Sequence, residues 1–375
     1  MLLSYKKGGN NLDLLIILSI AIPIIFLIVS IILLIKLGEN SPLIKTMEFY
    51  PPKGFNSAEV GFLYKGFANY KDVISLSIYL ANKGYIEIIE NEEKSLFKSR
   101  NFIIRKLKDY DGDNEIEEIF LEGLFEEKNQ VTYKDLYDKF YIIVDEIKNT
   151  LNDKEKRYKI FQKNLLTKKP IVIIMMIVTF AIINASPIIK SNQLEFLIAV
   201  LVVVIVFSMI TIQSNKIGAN TNIKEDIFSS LLVFAFAIGP FVIAIWQAIM
   251  QDRIYAIMYI IGILCIIGME IVLKKFNART KYGNEILGEI LGFKEFLEKA
   301  EKEKLEELVF QDTDYFYNML PFAYVLEVSD KWIKKFKDIS PKVQNRYFEN
   351  SLTTKNFEAF MTLVSRAMVS SPHDD

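Results

Sequence analysis

The chain has 375 residues, 51% of them hydrophobic and 24% charged, which is typical of a membrane protein with sizeable water-exposed parts. Its 45 basic and 46 acidic residues nearly balance, so its overall charge gives no general attraction to nucleic acid. One cysteine and one histidine exclude disulfide frameworks and those zinc sites that need several such ligands.

Five apolar stretches are predicted to cross the membrane, because each is about as long as the roughly 20-residue helix that spans a hydrocarbon core. Glu270 is the only charged residue within them. The first stretch could instead be a cleaved secretory signal, but it is longer than the apolar part of such signals and does not end in small residues. We therefore expect an uncleaved anchor. The predicted spans are residues 14–35, 170–189, 196–215, 227–251 and 254–273.

The basic residues beside the spans predict the orientation, because Lys and Arg near span ends are retained in the cytoplasm. Fifteen of them fall on one face and four on the other. This pattern predicts a multi-pass protein of the cell membrane, with a short outer N-terminus, residues 1–13, and a cytoplasmic C-terminus. The cytoplasmic regions are then residues 36–169 and 274–340, with a polar tail at residues 341–375.

The first cytoplasmic region has the pattern of a winged-helix-like α+β domain. Ser57 is expected to cap a short helix, and apolar residues at helical spacing over 73–80 predict a second helix that ends at Gly84. The β-branched segments 85–90 and 102–105 predict a two-stranded ribbon. The expected core residues are Val73, Leu76, Leu80, Ile88, Phe102 and Ile104.

Two more helices are predicted in this region, one apolar on one face over residues 116–124. The other begins at Thr132, has Asp135 three residues later as in a capping box, and continues to Leu151. Together they resemble a second, partly degenerate copy of the same unit. The region then ends in a basic juxtamembrane helix.

The second helix of a winged-helix regulator usually reads the DNA major groove. Here that helix would expose too little positive charge to neutralise several phosphates, so we expect it to serve packing or protein contact, with no nucleic acid partner. Its expected exposed residues are Lys71, Asp72, Ser75, Tyr79, Asn82 and Lys83.

The second cytoplasmic region is predicted to be all-α and to contain a dense aromatic run. Such runs more often fill a small core than line a ligand site. This run nevertheless has more large side chains than a small helical module needs, so we expect it to dock the two cytoplasmic regions together. The candidate protein-interaction residues are Tyr315, Phe316, Tyr317, Phe322 and Tyr324.

A basic run precedes the second span and is a candidate contact for anionic lipid headgroups, at about 1 kcal/mol for each cation near the surface. The retention of basic residues on the cytoplasmic side of a span explains the same residues, and the two interpretations are compatible. The candidate headgroup-binding residues are Lys154, Lys156, Arg157, Lys159, Lys163, Lys168 and Lys169.

Four segments, in order along the chain, carry a family resemblance. They are YPPKGFNSAEVGFLYKG from Tyr50 to Gly66, YLANKGYIEI from Tyr79 to Ile88, RTKYGNEILGEILGFKEFLEKAEKEKL from Arg279 to Leu305 and DYFYNMLPFAYVLEVSDKWIKKF from Asp314 to Phe336. They resemble the bacterial predicted membrane proteins grouped as domain of unknown function 2207. Members of that family usually carry an extracytoplasmic β-rich domain before these spans, whereas about 13 residues precede the first span here. The resemblance therefore implies an architecture but no activity, and nothing of that domain's role.

The sequence thus predicts an α-helical polytopic membrane protein of about five spans, with a winged-helix-like cytoplasmic domain and an all-α C-terminal cytoplasmic domain. No catalytic, cofactor-binding or metal-binding residues stand out, and no cofactor is expected. We expect an interaction or signalling scaffold whose partners are the bilayer and an unidentified cytoplasmic protein. The alternative is a small transporter or channel subunit.

Overall fold

Helices make up most of the computed structural model, which describes residues 2–39, 41–92, 100–191, 253–276, 278–336 and 354–370. A single antiparallel sheet of order β1-β2-β3 completes the described part. In chain order, the elements are α1 (Leu2–Leu37), α2 (Ser57–Lys65), α3 (Tyr70–Asn82), β1 (Ile86–Glu92), β2 (Arg100–Lys106), α4 (Glu115–Phe125), β3 (Gln130–Thr132), α5 (Tyr133–Leu136), α6 (Tyr141–Leu151), α7 (Lys154–Ile160), α8 (Lys163–Leu166), α9 (Lys169–Ser191), α10 (Arg253–Lys275), α11 (Lys281–Lys299), α12 (Lys302–Gln311), α13 (Tyr315–Val325), α14 (Ser329–Phe336) and α15 (Thr354–Val369).

The chain divides into two compact units, each built from two separate segments. The bundle unit comprises Met1–Ser41 and Phe161–Thr280, and the α/β unit comprises Pro42–Ile160 and Lys281–Asp375. The regions predicted as two cytoplasmic domains, residues 36–169 and 274–340, therefore contribute most of their length to one unit.

Among the residues that the structure describes, the bundle unit contains three helical stretches long and apolar enough to cross a membrane: Ile16–Leu37, Lys163–Ile183 and Ile257–Lys275. They overlap the first, second and fifth predicted spans. The predicted spans 196–215 and 227–251 lie outside the described residues. Helices α1, α9 and α10 pack on one another around a core that contains Met176, Met258, Met269 and Phe276. Their outer faces expose isoleucines, as expected of a surface that faces lipid.

The α/β unit begins with two capped helices. Asn56, rather than the predicted Ser57, caps α2, and its side-chain oxygen accepts from the Glu59 backbone N–H at 2.9 Å. Ser57 is instead buried, with its hydroxyl 2.6 Å from that of Ser75. Gly84 follows α3 with a φ of 77°, the left-handed conformation predicted for that helix end.

The predicted ribbon is confirmed and extended. Strands β1 and β2 pair antiparallel with Ile88 opposite Ile104, and β3 adds Val131 beside Ile104. The third strand was not predicted, because three residues are too few to show an alternating pattern. The helix predicted from Thr132 is divided into α5 and α6, because Asp138 adopts a positive φ of 59° in the turn between them.

All six predicted core residues of the first segment are buried. The expected exposure of α3 is wrong at Asp72 and Ser75, which are both fully buried. The physical reason is that α13 and α15, from the second segment, pack on α3 together with α2 and α6. The chain itself therefore covers much of the helix face that a DNA-reading helix would present, and of the six residues expected to be exposed only Lys83 is.

The region predicted as a polar tail contains helix α15, with Phe357, Phe360 and Val364 buried in the α/β unit. The Phe360 ring lies 6.3 Å from that of Phe102 on β2, measured between centroids. The core of this unit thus draws on residues more than 250 positions apart in the chain.

Candidate functional site

The five aromatic residues predicted as an interaction surface lie on α13, inside the α/β unit. The Phe322 ring meets Tyr79 of α3 edge to face, with 5.8 Å between centroids. The Asn82 side-chain amide, at the end of α3, donates to the Tyr317 carbonyl oxygen at 2.5 Å. The run therefore joins the two segments of this unit. Its members are Tyr315, Phe316, Tyr317 and Phe322, which are buried, and Tyr324, which is half-buried.

Trp332 of α14 packs against the aromatic run. Its indole N–H donates to the Phe316 carbonyl oxygen at 3.1 Å, and its ring stacks on that of Phe316 with an interplanar angle of 11°. The Tyr315 hydroxyl donates to the carbonyl oxygen of Phe49, in the first segment. The run is thus held both by its own segment and by the other one.

A buried ion pair lies beside this contact. Lys65 at the end of α2 pairs with Asp72 in the first turn of α3, and both side chains are almost fully buried. Asp72 also accepts from the Asn69 backbone N–H at 2.9 Å, which caps α3. Burial raises the pKa of the Asp72 carboxyl, and the Lys65 ammonium opposes that rise. The pair therefore fixes two helix ends together.

Two asparagine caps meet in a second polar cluster. Asn114 caps α4 and donates through its amide to the Glu59 carboxylate at 3.1 Å, while Asn56 donates to Glu117 at 3.3 Å. Burial raises the pKa of both glutamates. The carboxylates are occupied in holding α2 against α4. Among the residues that the structure describes, no group of three or more His, Cys, Asp or Glu side chains is placed to hold a metal ion.

The seven predicted headgroup-binding cations do not form one continuous helix. Lys154, Lys156, Arg157 and Lys159 lie on α7 of the α/β unit, where the Lys156 ammonium is 3.5 Å from Glu115. The other three belong to the bundle unit and lie in and just after α8 and at the start of α9: Lys163, Lys168 and Lys169. Lys169 is only 9% exposed. The run is therefore divided between the two units.

Gln162 forms a junction at the edge of the bundle unit. Its side-chain amide donates to the Glu39 carbonyl oxygen at 2.7 Å and to that of Arg279 at 3.1 Å, and its side-chain oxygen accepts from the Glu39 backbone N–H at 2.8 Å. Its own backbone N–H donates to the Ala278 carbonyl oxygen. One buried side chain thus joins the segment after α1, the segment before α9 and the segment after α10.

Arg279 adds a cation to the same junction. Its guanidinium lies over the Phe161 ring, 5.1 Å from the centroid, and desolvation lowers its pKa to about 10, so it stays charged at neutral pH. Sequence reasoning missed this junction, because Gln162 appeared only as a neutral residue within a basic run.

A glycine-lined face of α11 receives backbone from other parts of the α/β unit. A Cβ atom at Gly283 would overlap the carbonyl oxygen of Ile160, and one at Gly292 would overlap that of Thr46. Gly288 is in similarly close contact with the backbone of Ile44. The helix therefore holds both the segment that follows α1 and the end of α7, and glycine is needed at each contact.

The described residues thus form a helical bundle with candidate membrane spans and an α/β unit made from two chain segments. The chain belongs to the family described as "Predicted membrane protein (DUF2207) C-terminal domain", which matches residues 46–336. Searches of curated proteins and of solved structures found no match. The match spans both segments of the α/β unit, in agreement with the resemblance seen in the sequence.

Proposed function

We propose that this protein is a membrane-anchored scaffold that presents its α/β unit to a cytoplasmic partner. Movements of its spans would change the conformation of that unit. The observation that carries the proposal is the Gln162 junction, where all three described connections to the bundle helices are hydrogen-bonded together. A movement of one span would be transmitted to the other two through these hydrogen bonds. Five spans, with the N-terminus outside, are part of the proposal.

The two-segment construction of the α/β unit supports its placement on one side of the membrane. The segments are separated by the spans and share one core, which favours the same side for both. The excess of basic residues on this side favours the cytoplasm. The order α2, α3, ribbon favours a winged-helix-like module, and its covered α3 favours packing over DNA reading.

Photo-crosslinking in cells tests the proposal. A photoreactive residue at Phe310, which is 91% exposed, or at Ile142, which is 58% exposed, should give a discrete adduct with a cytoplasmic protein. The same residue at Ile263, which is exposed on α10 within a candidate span, is the control and should give none. Absence of adducts at both Phe310 and Ile142 would contradict the scaffold.

The coupling is tested in the same assay with Gln162→Leu, which keeps most of the side-chain volume but removes every side-chain hydrogen bond of the junction. We expect a changed adduct yield, because Glu39 and Arg279 are then no longer held together. Gln311→Leu is the matched control, since that glutamine is exposed and makes only a 3.4 Å bond to Glu307. Equal yields from both variants would leave a scaffold without coupling.

A second candidate function, a small transporter or channel subunit, is favoured by one observation. A carboxylate oxygen of Glu270, on α10, and the hydroxyl of Thr179, on α9, are buried without a hydrogen-bond partner among the described residues. Charged residues inside spans often mark ion pathways. Ion flux in proteoliposomes that is lost in Glu270→Gln would support this function over the scaffold.

A further inference from the structure

Residues 42–50, here named the strap, form a segment of the α/β unit without helix or strand that contacts α11. One side of the strap is fixed to α11, because the backbone at Ile44 and Thr46 lies directly on Gly288 and Gly292. Further along, the Phe49 ring packs edge to face on Phe296, with 5.0 Å between centroids. The strap therefore has a defined inner and outer side.

The outer side of the strap carries large apolar side chains. Leu43 is 49% exposed, Ile44 67% and Met47 82%, although the backbone beneath them is held in place. Exposed apolar surface costs roughly 25 cal/mol per Å² in water, so three such side chains on nine residues call for a covering surface. Lys45, between them, is paired with Glu295 of α11 and lies at the edge of this surface.

A cleft of about 580 Å³ adjoins the strap. Apolar side chains, among them Met47, Phe49 and Phe296, line it together with charged ones, which are Lys45, Lys299, Lys304, Glu295 and Glu301. Apolar side chains next to lysines are the combination that binds the boundary between headgroups and acyl chains. The cleft thus extends the surface of apolar side chains and lysines that the strap's outer side presents.

The covalent structure keeps the strap near the membrane. The first candidate span ends at Leu37, six residues before Leu43, and a chain covers at most about 3.6 Å per residue. The helix beneath the strap, α11, starts at Lys281, six residues after the last described candidate span ends at Lys275. Both partners of the strap contact are therefore tethered close to span ends.

We propose that the outer side of the strap inserts Leu43, Ile44 and Met47 into the interface of the bilayer, as a lipid contact separate from the spans. Insertion covers the exposed apolar surface without a protein partner. It also sets the depth at which α11 lies, since Gly288 and Gly292 hold the strap to that helix. The proposal needs the membrane location only and is independent of any cytoplasmic partner.

The test uses the full chain with Cys265 replaced by serine and a single cysteine at Ile44 or Met47, labelled with an environment-sensitive fluorophore. The protein is reconstituted into vesicles of phosphatidylcholine and phosphatidylglycerol with or without nitroxide-labelled lipid. Both sites should show blue-shifted emission and lose most of their fluorescence to the nitroxide. The matched control is Ile142→Cys on α6, at an isoleucine that is 58% exposed, and it should keep its fluorescence.

Two results would overturn the proposal. Solvent-like emission at both strap sites would mean that the strap faces water. Blue-shifted emission that nitroxide lipid does not quench would mean that protein covers the strap, and a dependence on protein density in the vesicle would identify a second copy of the chain. Both positions are exposed, so the substitutions leave the buried packing intact and a negative result cannot be assigned to misfolding.

Discussion

Replacing Lys65 with methionine should lower the free energy of unfolding by about 3–5 kcal/mol, because it leaves the Asp72 carboxylate buried without its counter-ion. Asp72 is fully buried, and Lys65 is only 4% exposed. The measurement is thermal or denaturant unfolding of the purified protein in detergent, followed by a signal from the α/β unit. Lys128→Met is the matched control. Its ion pair with Asp135, at 2.7 Å, is exposed and should contribute no more than about 1 kcal/mol.

The defect of Lys65→Met should depend on pH in a known direction. Burial raises the pKa of Asp72 in the folded protein, so its charge destabilises the fold only as pH rises through that raised pKa. Without Lys65 the pKa rises further. The difference from wild type should therefore be largest at neutral pH and shrink on acidification. A defect that stays constant with pH, or one that Asp72→Asn does not relieve in the double variant, would contradict a role for the buried charge.

Replacing Phe322 with alanine should cost about 3–5 kcal/mol, the range for removing a buried phenylalanine. Phe322 is 4% exposed, and its ring contacts both Tyr79 and Phe293 edge to face. Since Tyr79 belongs to the first segment and Phe293 to the second, the loss should loosen the contact between segments as well as the core. Limited proteolysis should then cut the variant under conditions that leave wild type intact.

The control for Phe322→Ala is Phe310→Ala, whose side chain is 91% exposed on α12. Its stability should stay within about 0.5 kcal/mol of wild type, as for most surface substitutions. A Phe322 variant as stable and as protease-resistant as the Phe310 variant would mean that the aromatic run does not hold the two segments together.

Local patterns in the sequence predicted much of the α/β unit. The pairing of the segments that form β1 and β2, the left-handed Gly84 and the buried Leu80 all follow from period and turn chemistry within a few residues. The cap of α2 was misassigned by one position, because Asn56 and Ser57 are both good capping residues and only the hydrogen bond to Glu59 distinguishes them.

The remaining features depend on contacts between residues far apart in the chain. Asp72 and Ser75 look like exposed helix positions, but Lys65 and Ser57 of α2 pair with them, and α13, some 240 residues later, also packs on α3. Gln162 is a clearer case, since its partners Glu39 and Arg279 are each more than 100 positions away. A single sequence shows residue type and spacing but carries no direct record of such pairings.

Side-specific cysteine labelling tests the central claim most directly, namely that the two segments form one unit on the cytoplasmic side. In a Cys265→Ser background, single cysteines at Glu127 and Glu303 place one exposed probe on each segment of the α/β unit. An impermeant maleimide should leave both unlabelled in intact cells and label both after permeabilisation, while Ser4→Cys should react in intact cells. Labelling of Glu127→Cys and Glu303→Cys from opposite sides would contradict a shared core, and labelling of both from outside would reverse the proposed orientation.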